Sequence, residues 1–104
     1  MVIRMNSVIG HPVIVLAKRQ HPNAASSLDS WLIIAGGTDW KSIVDVKKTY
    51  PHADAVGSCT VFNIKGNKYR LITKIDYPTQ TVQIKRVLTH AEYDKEKWKK
   101  DCGG

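Results

Sequence analysis

Three runs of alternating residues, "TVFNIK" (60–65), "KYRLITKIDY" (68–77) and "QTVQIKRVL" (80–88), constrain this chain more than any other feature. Period-two alternation sends successive side chains to opposite sides of a strand, and Gly66-Asn67 and Pro78-Thr79 are turn dipeptides that can join neighbouring strands. The runs therefore predict an antiparallel meander of three strands. With two-residue turns, Lys65 pairs with Lys68, Asn63 faces Arg70 and Val61 faces Ile72. In the second hairpin Ile72 faces Lys85, Lys74 faces Gln83 and Arg70 faces Val87. One face then collects Phe62, Ile64, Tyr69, Leu71, Ile75, Val82, Ile84 and Leu88, an apolar surface for helices to cover. The other collects Lys65, Lys68, Arg70, Lys74 and Lys85, with Asn63, Thr81 and Gln83 between them; Asp76 is the only acid at that parity. Arg86 falls on the core side in this register. It must reach a boundary or a carboxylate, or the register contains a bulge.

The first half reads as a short strand over residues 5–9, then a helix opened by His11-Pro12 and running to about Gln20, where His21-Pro22 ends it. "NAASSLDSWLIIA" predicts a second helix closed by Gly36-Gly37. Ser42 and Asp45 have capping-box spacing and start a short helix that Pro51 ends. Thr89 and Glu92 share that spacing and start a last helix reaching about Lys100. The expected fold is α+β, an antiparallel sheet with helices on one face, in the order β-α-α-β-β-β-α, with the short helix begun at Ser42 standing before the second β and not counted. It forms a single domain over 1–104, with 1–4 read as an unstructured or mis-assigned start.

Charge narrows the function. Sixteen Lys and Arg against nine Asp and Glu give a formal charge of +7. A solvated sheet face ordinarily mixes its signs, because like charges repel across strands, so a face of one sign favours a phosphate-bearing partner. The apolar stretch near the start is broken by Gly10, His11 and Pro12, and it is too short to cross a bilayer, so no membrane partner is expected. His11, His21, His52 and His90 are scattered without Cys or carboxylate spacing, so neither a metal nor a cofactor is expected. Cys59 and Cys102 form no disulfide framework; their pairing stays open, with reduced thiols the simpler expectation.

The seam "RVLTHAEYDKEKW" (86–98) is where strand period gives way to helix period. Thr89 and Glu92 do the capping, which leaves His90 and Tyr93, three apart in the first turn, free for another role at the rim of the basic face. Such a pair taken alone serves packing more often than chemistry.

The stretches "DWKSIVDVKKTYP", "VFNIKGNKYRLI" and "THAEYD" resemble the HigB family of bacterial toxins, relatives of the RelE messenger-RNA interferases found in type II toxin–antitoxin pairs. The resemblance runs from about Asp39 to Cys102 with the motifs in family order; before it, "HP" at 21–22 and Trp31 fit, whereas Gly10, His11 and Pro12 depart from the family's basic helix. It implies a RelE-like α+β fold, a cytoplasmic toxin, cleavage of mRNA on the translating ribosome, and neutralisation by a HigA-like helix-turn-helix antitoxin.

Metal-independent cleavage by 2′-hydroxyl attack requires a cation on the phosphate, a group to take the 2′ proton and an acid for the leaving 5′-oxygen. Arg70, matching the strand arginine of the family's "YRL" motif, is the candidate phosphate clamp. His90 is the candidate proton-transfer group. Tyr93 serves as acid or stacks on a base, and Lys68 stabilises charge or acts as base. Lys65, Asn67, Lys74, Lys85, Lys47 and Lys48 are the candidate RNA-binding residues, although Lys47 and Lys48 read equally well as a solvated helix face. Arg70 and His90 are both expected at an exposed rim, so replacing either should change thermal stability little. Two other readings use the same charge: a non-catalytic RNA- or ribosome-binding module, and a domain that binds an acidic protein. DNA binding is disfavoured because no helix clusters base-reading side chains.

The charge reading has a direct check. RNA affinity should fall steeply with salt, and replacing Lys65 and Lys74 together by glutamate should weaken it without unfolding the protein. Filter binding across a salt series, with circular dichroism of the variant, measures both; unchanged affinity would remove the face assignment.

Overall fold

The computed structural model describes residues 5–103, so the start expected to be unstructured or mis-assigned, 1–4, lies outside the described residues. The strands are β1 (Ser7–Ile9), β2 (Asp54–Val56), β3 (Cys59–Ile64), β4 (Tyr69–Asp76) and β5 (Thr81–Thr89). The helices are α1 (His11–Gln20), α2 (Ala25–Gly36), α3 (Ile43–Thr49) and α4 (His90–Asp94), with 3-10 turns at Pro22–Ala24 and Lys97–Cys102. Among the described residues the fold is α+β with one five-stranded sheet in the order β1-β5-β4-β3-β2. Two expectations are corrected. The sheet is mixed rather than antiparallel, because β1 runs parallel to β5. The order also gains β2, whose three residues are too few to show alternation; it folds back on β3 through Gly57, held at φ 56°.

The first hairpin has the expected register, Asn63 opposite Arg70 and Val61 opposite Ile72. In the second, Lys74 faces Gln83 as expected, but the ladder then slips: Thr73 pairs with Ile84 and Ile72 with Arg86. Lys85 is the extra residue of a bulge. Beyond it every side chain of β5 changes face. Val87 joins the helix-side core and Leu88 the opposite one, reversing the expected parity. Arg86 satisfies both options left open for it, lying past a bulge and donating through Nε and Nη2 to Asp101 Oδ2 at 3.2 and 3.1 Å.

The helix-side core contains Ile14, Leu28, Trp31, Trp40, Val46, Phe62, Leu71, Val82 and Ile84, all buried. Aromatic edges and faces meet around Phe62, whose ring centroid lies 5.3 to 5.7 Å from those of Trp31, Trp40 and Tyr50. At the start of α1, Gly10 holds φ 94°, and a Cβ there would lie 2.6 Å from the Ile84 carbonyl oxygen. Only glycine lets the chain leave β1 so close to the β5 backbone.

The far face of the sheet is not the open basic surface expected. Val61 and Ile72 share the parity of Arg70, and with Cys59 they form a second apolar cluster against Trp98 and Cys102, joined at its edge by Val56, Leu88 and Tyr93. The segment that covers them explains a further correction. The last helix does not reach Lys100; α4 ends at Asp94, Glu96 takes φ 60°, and the chain turns back as the 3-10 helix Lys97–Cys102. Cys102 is thereby brought to Cys59, and the two form a disulfide, not the reduced thiols expected. The spacing of 43 residues carries no signal of this; it follows from the apolar cluster that draws the two ends together. The Ser42 capping box is also absent. Asp45 Oδ2 instead accepts from the Lys41 amide at 3.1 Å, and the Ser42 side chain makes no capping bond. Among the described residues no helix is long and apolar enough to cross a membrane.

Gly10→Ala forces both a left-handed backbone and a contact with Ile84 O, so it should destabilise by roughly 1–3 kcal/mol, seen as a lower urea midpoint with an unchanged slope.

Candidate functional site

Three pieces of chain meet at one end of the sheet: the β3–β4 turn, the end of β5 and α4. The turn places Lys65 and Gly66 at φ 52° and 65°, which brings Asn67 and Lys68 back over the start of β4. Tyr69 pairs with Thr89, and the His90 amide donates to Lys68 O at 3.1 Å, so Lys68 and His90 are stitched together at the strand ends. The capping box is complete. Glu92 N donates to Thr89 Oγ1 at 3.2 Å and Thr89 N donates to Glu92 Oε1 at 3.0 Å. Those bonds leave the His90 and Tyr93 side chains free of any capping role.

Arg70 departs from expectation. It is only 8% exposed rather than at an open rim. Its guanidinium donates through Nη1 to Asn67 O at 3.1 Å and to Tyr69 O at 3.2 Å, and through Nη2 to Asn67 Oδ1. Its Cζ lies 5.0 Å from the centroid of the Tyr93 ring, over the ring face. Among the described residues no carboxylate forms an ion pair with it. A cation is therefore held at this end of the sheet by carbonyl oxygens and an aromatic face alone.

His90 is exposed, and its Nδ1 lies 2.9 Å from Asp94 Oδ2, one helical turn on. That contact engages Nδ1, and Nε2 has no hydrogen-bond partner among the described residues. Tyr93 is half-buried, stacked on Trp98 with centroids 4.8 Å apart and planes 14° from parallel. Lys68 is exposed. The structure thus brings Arg70, Tyr93, Lys68, His90 and Asn67 to one end of the sheet.

The remaining candidates are dispersed. Lys65 Nζ donates to Asn23 O at 3.0 Å, tying the turn to the α1–α2 connection. Lys74 lies toward the other end of β4, beside Asp76 and Thr81. Lys85, displaced by the bulge, lines a groove with Leu16 and Gln20 of α1 rather than facing Ile72 on the Arg70 side of the sheet. Lys48 pairs with Asp45 of its own helix at 3.6 Å, and among the described residues neither Lys47 nor Lys48 is bonded to the β3–β4 turn or α4. The five-charge face thus resolves into a cluster at one end and scattered lysines elsewhere.

Four neighbours were not singled out in the sequence. Asp94 had a legible signal, its i+4 spacing from His90. Trp98 had none at this range, because its contact depends on the turn at Glu96. His21 and Asn23 come from the first half of the chain: the His21 ring lies 5.0 Å from that of Tyr69, and Asn23 Oδ1 accepts from the Tyr69 hydroxyl at 2.7 Å.

Comparison with known proteins places these features in a class. The family model for HigB toxins, described as the RelE-like toxic component of a toxin-antitoxin system, matches residues 24–96, a span that includes the β3–β4 turn, Arg70, His90 and Tyr93. A chain with this α+β architecture and that match is a RelE-like toxic component. It belongs to the HigB toxin family. One relative, the mRNA interferase HigB of Escherichia coli O6:H1, is 29% identical over 80 residues, covering 74% of this chain and 78% of its own length.

The capping carboxylate supplies a pH test. The Thr89 amide holds the Glu92 pKa below its ordinary value of 4.5; burial opposes it, and the Thr89 hydroxyl and the positive fields of His21 and Lys95 add to the lowering. Because the folded pKa is depressed, the cap's stabilisation is complete above the ordinary glutamate value and is lost as pH falls through the folded one. An NMR titration of the Glu92 carboxyl should give a midpoint below 4.5, moving back toward it in Thr89→Ala, which removes the hydroxyl bond and loosens the box.

Proposed function

We propose that this chain is an endoribonuclease, an mRNA interferase that cleaves messenger RNA by attack of a 2′-hydroxyl on the adjacent phosphate. The observation that carries the reading is Arg70, a cation 8% exposed with no carboxylate partner among the described residues. Burying a charge unpaired is costly, and an arriving phosphate relieves that cost while accepting two parallel N–H bonds from the guanidinium. Family membership and the relative named an mRNA interferase support the choice of RNA as the anion's source.

In this reading the phosphate sits at the end of β4 against Arg70, with Lys68 neutralising its second oxygen. His90, oriented through Nδ1 by Asp94, takes the 2′ proton on Nε2. The 2′-oxygen forms its bond to phosphorus as the bond to the 5′-oxygen breaks. Tyr93 has its ring engaged by Arg70 and Trp98, so its contribution is the hydroxyl, which protonates the leaving oxygen. The products are a 2′,3′-cyclic phosphate and a 5′-hydroxyl end, and exchange with solvent returns both proton-transfer groups to their starting states. Lys65 and Asn67 border the phosphate site and steady the strand, with Lys74, Lys85, Lys47 and Lys48 contributing long-range attraction. The toxin acts in the cytoplasm on mRNA engaged by the ribosome, and a HigA-like helix-turn-helix antitoxin neutralises it; both statements rest on the family resemblance.

Single-turnover cleavage on programmed ribosomes tests the assignment. Arg70→Ala should lose on the order of 10²-fold or more in rate and His90→Ala about 10²–10⁴-fold. Melting should separate the two. Arg70→Ala also removes the guanidinium from Tyr93 and should cost roughly 1–2 kcal/mol, whereas exposed His90 should cost little. A folded wild-type protein that binds ribosomes and arrests growth while transcripts stay intact would instead identify a non-catalytic binding module.

A further inference from the structure

The Tyr93 ring that covers Arg70 is not held by α4 alone. That helix has five residues, all at least partly exposed, and is too short to fix a side chain by itself. Tyr93 is held from behind by Trp98, through ring stacking at 4.8 Å and through Trp98 Nε1, which donates to Tyr93 O at 2.9 Å. Trp98 in turn belongs to the 3-10 helix Lys97–Cys102, which runs between two left-handed residues, Glu96 at φ 60° and Gly103 at φ 69°. The segment's ties to the sheet are few: the Cys59–Cys102 bond, the Ser58 amide donating to Cys102 O at 2.8 Å, the Arg86–Asp101 pair at 3.1 Å and the burial of Trp98 itself. The bridge is the one covalent tie among them. A continuous chain of contacts therefore runs from the disulfide through Trp98 and Tyr93 to the Arg70 guanidinium.

We propose that Trp98 is a positioning residue for the Arg70–Tyr93 pair, and that the Cys59–Cys102 bridge places this pair under redox control. The inference rests on the ribonuclease reading for its activity arm only. In the cytoplasmic location proposed above, disulfides are typically regulatory or catalytic rather than structural, which fits a bond linked to a site rather than to the main core. The chemistry balances with a dithiol as reductant. One thiolate attacks a bridge sulfur to give a mixed disulfide, and the second thiol of the reductant displaces it as a cyclic disulfide. Two electrons and two protons pass to the protein, leaving Cys59 and Cys102 as thiols. Both sulfurs belong to residues 1% exposed or less, so exchange proceeds from states in which the 3-10 helix has lifted, the same motion that withdraws Trp98 from Tyr93. With the bridge closed, the lifted states are rare, the stack prevails and the site is complete. With it open, the segment samples released states in which Tyr93 no longer lies over Arg70.

The test compares full-length protein in oxidised form, after dithiothreitol, and as the double variant Cys59→Ser/Cys102→Ser. The first readout needs no activity: the Tyr93 ring-proton NMR resonances, which stacking on Trp98 shifts upfield. They should move toward the unstacked position on reduction and in the double-serine variant, and in Trp98→Leu even when oxidised. The second readout is single-turnover cleavage. Reduction and Trp98→Leu should each slow the chemical step about tenfold with little change in RNA affinity. In a Tyr93→Phe background, which keeps the ring, Trp98→Leu should have a smaller effect than in the wild type, because part of its action passes through the Tyr93 hydroxyl. Trp98→Phe, which keeps stacking and loses the indole bond, should retain most of the rate. Tyr93 resonances identical in oxidised and reduced protein would overturn the proposal, as would measurable cleavage at the same rate in the two forms. Absence of cleavage by wild-type protein in both forms, with the resonance shift intact, would overturn the ribonuclease reading and leave the redox link to Arg70 standing.

Discussion

A buried guanidinium with no carboxylate partner among the described residues is the constraint on which the rest of the site depends. A guanidinium is a permanent charge, so a fold that buries one must solvate it with something other than water. It does so with the carbonyl oxygens of Asn67 and Tyr69, the Asn67 side chain and the face of Tyr93. Each of these depends on a separate local device. The carbonyls point correctly because the β3–β4 turn takes left-handed conformations at Lys65 and Gly66. The ring lies where it does because the Thr89–Glu92 box starts α4 at the very end of β5. The result satisfies three of the five guanidinium N–H donors and leaves the charge uncompensated, a condition that suits an anion arriving from outside.

The bulge at Lys85 does for the sheet what the turn does for Arg70. Without it Leu88 would face α1 and α2, and Arg86 would be driven into the core. With it β5 changes sides halfway along, and the sheet acquires two apolar faces: a large one beneath α1 and α2, and a small one of Cys59, Val61 and Ile72 beneath the C-terminal turn. The small face draws Trp98 back over the sheet, and Trp98 gives Tyr93 its support. Core packing and site geometry are thus one problem on this side of the molecule, which is why the lysines expected to form a continuous basic surface are divided by apolar contacts.

What was legible in the sequence was what short-range chemistry determines. The hairpin registers around Asn63–Arg70 and Lys74–Gln83 follow from alternation and turn length. The limits of α1 follow from Pro12 and His21-Pro22, and the Thr89–Glu92 box from its spacing. The clustering of Arg70, Lys68, His90 and Tyr93 followed from those same local facts. Tertiary structure alone decided the features whose partners are far apart in the chain. Strand β2 exists because β3 offers an open edge. The slip at Lys85 answers the demand of Arg86 and Leu88 for the opposite face, and the Cys59–Cys102 bond closes because an apolar patch gathers segments 43 residues apart. Arg70 became a buried cation for the same reason. Alternation can assign a side chain to a face, but only the elements packed against that face decide whether it meets solvent or another part of the chain.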